Sequence, residues 1–103
     1  MQIEDIWFIV EELVKHSVTP RQVLEVIQNF HSENYGLEPS EAGNERAMIV
    51  GRAHNGALME VGIEDVEGQG YGYDTIVFHG MWIEETTKSV KLSGYDKKLR
   101  MGL

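Results

Sequence analysis

The sequence contains no cysteine and only two prolines. Without cysteine there is no disulfide, no thiolate nucleophile and no Cys-ligated zinc, so nothing in it points to secretion. Long apolar runs are also missing. The longest, Ile6–Val10, falls far short of the roughly 20 residues a membrane helix requires. The opening residues Met1-Gln2-Ile3-Glu4-Asp5 lack the basic start of a signal peptide. A cytoplasmic protein without a membrane segment is the expectation.

Basic side chains are scarce as well: nine Lys and Arg stand against seventeen Asp and Glu, for a formal charge of −8. Their distribution matters more than the total. Residues 1–87 hold four basic side chains and sixteen acids, or −12, whereas residues 88–103 hold five basic ones and Asp96, or +4. Nucleic-acid binding draws most of its affinity from cations that neutralise phosphates. The acidic body therefore works against RNA or DNA, and only the tail attracts either. What is present is ordinary globular material, 42% apolar and 25% charged over 103 residues, enough for one core. The expected organisation is one domain over 1–92 and a basic C-terminal tail over 93–103.

The first half reads as helical. Ile6, Ile9, Val10, Leu13 and Val14 recur at three- and four-residue spacing, with Glu11, Glu12 and Lys15 opposite. Thr19-Pro20-Arg21-Gln22 is a strong start for a second helix, with Thr19 as cap, Pro20 at the first helical position and Gln22 completing a capping box. Val23, Val26, Ile27 and Phe30 form its buried stripe. A short edge strand is expected at 35–38. The second half then changes period. Arg46–His54 and Ala57–Glu64 flank Asn55-Gly56, a two-residue hairpin signal in which both positions need positive φ. That turn sets Arg52 opposite Met59, Val50 opposite Val61 and Met48 opposite Ile63. Tyr71–His79 reads as a third strand broken by Gly80, and 83–92 as a short helix. The fold class is α+β: two N-terminal helices packed on a small antiparallel sheet of three or four strands.

No cofactor motif is present. Gly68, Gly70 and Gly72 lie between strands rather than between a strand and a helix, which makes them loop glycines and not a phosphate cradle. The histidines at 16, 31, 54 and 79 show no pair at metal-ligand spacing, so no metal is expected. Arg52 and His54 share the turn end of an apolar strand face, and His79 closes the third strand. A cation beside imidazoles can bind a phosphate or carry acid–base chemistry near neutral pH. At the rim of a sheet the same residues also serve as ordinary solvated side chains. Reading Leu13–Phe30 as a DNA-binding helix–turn–helix leaves Arg21 as the second helix's only cation, too few for a recognition helix.

The order of these features resembles a known family. Lys15-His16-Ser17-Val18-Thr19 running into a Val/Ile-rich helix is similar to the K-H-G-V-[ST] segment of BrnT-like toxins. Ile49-Val50-Gly51-Arg52, with the turn and apolar strand that follow, is similar to their I-G-R segment. Val77-Phe78-His79-Gly80 falls where members carry an apolar strand ending in an A-R pair. The resemblance spans roughly residues 10–86. It implies a RelE-like ribonuclease fold, metal-independent RNA cleavage, and a type II toxin–antitoxin system with an antitoxin-like protein as partner. Arg52 would carry over as the phosphate or transition-state cation, and His16 as a motif position without an assigned role. The chain departs from the pattern at Ser17, where the family has Gly, at Met81, where it has Arg, and at Ile83-Glu84-Glu85-Thr86, where it is basic. These departures leave the fold expectation in place and remove positive charge from the implied site. The alternative is a non-catalytic interaction domain forming a homo-oligomer through its sheet edges.

Overall fold

The computed structural model describes residues 3–29, 34–85 and 90–91. After a 3-10 turn at Ile3–Asp5 come β1 (Ile6–Phe8), α1 (Val10–Val14), α2 (Pro20–Asn29), β2 (Asn34–Leu37), β3 (Arg46–Arg52), β4 (Leu58–Asp65), β5 (Thr75–Trp82), β6 (Glu84–Glu85) and β7 (Val90–Lys91). The sheet order is β1-β5-β4-β3-β2, and β6 pairs separately with β7. The architecture is α+β, with five strands in the main sheet instead of three or four. Phe30, His31 and residues 92–103, with the expected tail, lie outside the described residues.

The additional strand comes from the N-terminus, where a helix was expected from Ile6 onward. Ile6-Trp7-Phe8 is rich in β-branched and aromatic side chains. It pairs in parallel with β5, Ile6 against Thr75 and Phe8 against Val77. Only the last part of the periodic stretch is helical. The helix α1 ends at a left-handed residue: Ser17 has φ 55°. The Val18 N–H donates to Leu13 O at 3.0 Å and the Ser17 N–H to Val14 O at 3.1 Å, the crossed pair of bonds that closes a helix around a left-handed residue. Glycine takes that conformation without the penalty a side chain incurs. Ser17→Gly is therefore expected to raise stability by about 1 kcal/mol, read as a shift of the urea midpoint at constant slope.

For α2 the capping box forms as expected. The Thr19 N–H donates to Gln22 Oε1 at 3.0 Å, and the Gln22 N–H donates to Thr19 Oγ1 at 3.2 Å. Val23, Val26 and Ile27 are buried, and they pack with Leu13, Ile49, Met59, Val61 and Val77 as one core between helices and sheet.

The β3–β4 turn corrects the expected register. Arg52 pairs with Leu58, Val50 with Glu60 and Met48 with Gly62. Ala53 O accepts from the Gly56 N–H at 2.9 Å, and the Ala53 N–H donates to Ala57 O at 3.0 Å. Only Gly56 has positive φ, +84°. The loop is thus His54-Asn55-Gly56, a turn closed by a left-handed glycine, and not the two-residue Asn-Gly turn. A slip of one residue moves a whole strand's side chains to the other face. Met59, Val61 and Ile63 accordingly join the helix-side core, and Glu60 joins Met48 and Val50 on the opposite face.

Further corrections concern β5, which starts at Thr75, not Tyr71, and continues through Gly80 to Trp82. Gly80 does not break the strand. A Cβ there would lie 2.8 Å from Leu13 Cδ2 and 3.3 Å from Val18 Cγ1, so its bare Cα lets the α1–α2 joint sit on the sheet. Of the expected helix over 83–92, Glu84–Glu85 is instead a strand paired with Val90–Lys91, and residues 86–89 and 92 lie outside the described residues.

Candidate acid–base site

On the sheet face away from the helices, β4 carries an acid within an apolar run. Glu60 is flanked in sequence by Met59 and Val61 and is fully buried. Its Oε1 lies 3.0 Å from His79 Nε2, and its Oε2 is buried without a hydrogen-bond partner among the described residues. A buried carboxylate is tolerated when it is paired and hydrogen-bonded. Here one oxygen is satisfied and the other is not, an arrangement that costs stability and is a mark of functional sites.

His79 reaches Glu60 because of a bulge. Gly62 opposes His79, but Ile63 opposes Val77, which leaves Phe78 as the additional residue of β5. Bulges re-aim side chains locally. A Cβ on Gly62 would lie 2.7 Å from the Phe78 ring and 3.1 Å from His79 Cβ, so the glycine makes room for both. Arg46 stacks over the Phe78 ring at 5.3 Å and donates from Nε to Glu38 O at 2.8 Å. The His79 side chain keeps 13% of its surface exposed.

The second imidazole comes from the helix joint. His16 follows α1, and its ring meets His79 edge-on with centroids 5.9 Å apart. The Trp82 Nε1–H donates to Ser17 O at 3.3 Å, tying this joint to the end of β5. Two histidines far apart in sequence are thus brought together with a buried carboxylate behind one of them. Among the described residues, no group of three or more His, Asp or Glu side chains is placed to hold a metal ion.

Arg52 and His54 lie elsewhere. Arg52 is exposed at the turn end of the sheet, donating from an η nitrogen to Gly56 O at 2.9 Å, and it opposes Leu58, four positions along β4 from Gly62. His54 turns toward α2. Its backbone N–H donates to Glu25 Oε1 at 2.9 Å, its Nδ1 lies 3.4 Å from Glu25 Oε2 and its Nε2 lies 3.4 Å from Asn29 Nδ2. That histidine fastens the hairpin to the helix. The residue the sequence reading missed is Glu60. Its signal was a lone acid inside Leu58-Met59-Glu60-Val61, and the two-residue turn had placed it on the other face.

No family model, curated protein or solved structure matches the chain.

Proposed function

We propose that this chain is a diverged toxin-like protein whose chemistry is metal-independent cleavage of RNA, carried by His79 and His16 with Glu60 as the positioning residue. The observation behind this reading is the imidazole pair, 5.9 Å between centroids, backed by a fully buried carboxylate. Cleavage by the neighbouring hydroxyl requires two proton transfers. One base removes the proton of the 2′-hydroxyl, whose oxygen attacks phosphorus. One acid protonates the 5′-oxygen as the P–O5′ bond breaks, leaving a 2′,3′-cyclic phosphate and a 5′-hydroxyl. A carboxylate that fixes an imidazole's orientation favours His79 as base, which gives His16 the role of acid. The resemblance to BrnT-like toxins supports the same reading, since His16 lies in the first shared segment.

The net charge of −8 sets the expected kinetics. Repulsion between an acidic protein and RNA weakens as salt screens it, so kcat/KM is expected to rise between low and physiological ionic strength. Cationic nucleases show the opposite trend. The test is cleavage of a short fluorescent RNA in EDTA, with growth of the expressing cells followed in parallel. Cleavage by the wild type and its loss in His79→Ala support the proposal. Intact RNA and normal growth at every salt concentration would overturn it.

A further inference from the structure

Among the described residues, five large apolar side chains remain exposed, four of them in one N-terminal stretch. Ile3, Trp7, Val10 and Val14, each about half exposed or more, follow one another along the 3-10 turn, β1 and α1. The fifth, Tyr71, joins them through a stack. Trp7 and Tyr73 have ring centroids 5.6 Å apart at 25°, and Tyr73 and Tyr71 are 5.6 Å apart at 14°. The strand that carries Trp7, β1, is an end strand of the sheet. Isolated exposed apolar residues are ordinary, but a stacked aromatic cluster on an end strand of the sheet marks an interaction surface.

Its surroundings are acidic. A hollow of about 370 Å³ at this end of the sheet is lined by Asp5, Ile63, Asp65, Glu67, Asp74 and Thr75. No Lys or Arg occurs in residues 1–14 or 53–87, which include β1, β4, β5 and the loop carrying the tyrosines. The acids at this edge thus have no basic neighbour on their own strands, where most surfaces mix both signs.

We infer that the β1 edge binds an extended segment of another protein that alternates apolar residues with Lys or Arg. Main-chain hydrogen bonds to the open side of β1 would give affinity. Apolar residues would lie along the Trp7–Tyr73–Tyr71 stack, and the alternate basic side chains, pointing to the other face, would meet the carboxylates of the hollow. Charge complementarity selects this occupant over a second copy. A symmetric dimer through β1 would set the same acidic rim against itself. This inference does not depend on the RNA chemistry.

The test uses the full chain with the peptide acetyl-Lys-Val-Arg-Val-Lys-Val-Arg-amide, and with the same peptide carrying Glu in place of every Lys and Arg. Binding is measured by calorimetry and by amide shifts in the NMR spectrum. The basic peptide is expected to shift residues 3–14 and 71–75 and to bind at least about tenfold more tightly than the acidic one. Trp7→Ala is expected to weaken it by about tenfold or more. Val14→Lys, on an exposed site, provides a second variant should Trp7→Ala not fold, and is expected to weaken binding through like charge. Equal binding of the two peptides, or shifts confined to other strands, would overturn the inference. So would a wild-type dimer in light scattering that Trp7→Ala converts to monomer, which would assign the edge to a second copy.

Discussion

Glu60→Gln is expected to leave the protein as stable as the wild type or more so, while lowering RNA cleavage by about 10²-fold. The carboxyl group is fully buried, and one of its oxygens has no hydrogen-bond partner among the described residues. An unsatisfied buried polar group costs about 1–3 kcal/mol, and more when it is charged. The amide keeps the length and planarity of the side chain and still meets His79 Nε2, now 3.0 Å from Oε1. What it removes is the ionisable carboxyl group in the interior. A residue retained only for packing would leave turnover unchanged. A residue that orients an imidazole gains in thermal stability and loses turnover, the trade expected where a site holds groups the fold alone would not select. Unfolding temperature and single-turnover rate, measured on one preparation, separate the two. A destabilised variant with unchanged turnover would show that Glu60 serves the core.

Leu13→Ala is expected to cost about 2–5 kcal/mol, the largest stability loss among the core positions considered. Leu13 is fully buried and comes from a helix of only five residues, so little else holds α1 to the sheet. Gly80→Ala alone is expected to cost about 1–3 kcal/mol by overpacking, because its new Cβ would lie 2.8 Å from Leu13 Cδ2. The two changes touch the same atoms. The double variant should thus be less destabilised than the sum of the singles, since removing the leucine tip clears the space the new methyl needs. Urea unfolding of the four proteins gives the coupling directly. Full additivity would mean that α1 does not sit on Gly80.

Much of the fold was legible from local chemistry. The Thr19–Gln22 box, the burial of Val23, Val26 and Ile27 in α2 and the edge position of β2 follow from short-range signals, and each is found where it was expected. The misread elements depended on distant partners. Ile6-Trp7-Phe8 fits a helical stripe by spacing, and only β5, nearly seventy residues away, makes it a strand. Gly80 reads as a breaker when alone and as a packing site once Leu13 lies above it. The turn at 54–56 was located correctly, but its loop length was one residue short, and that single residue decided which face received Glu60. For the site, His16 and His79 were each visible as candidates. Their contact was not, because it rests on the Phe78 bulge and on the left-handed Ser17 that ends α1. Arg52 and His54, two positions apart and grouped because alternation puts them on one strand face, are drawn apart by their partners Gly56 and Glu25.

The proposed chemistry requires His16 and His79 to share one site. Nuclear Overhauser contacts between aromatic ring protons of the wild-type protein measure this directly. Cross-peaks between the two imidazoles are predicted from their 5.9 Å edge-on contact. Imidazole signals of His79 that show contacts to the His54 ring and none to His16 would contradict it.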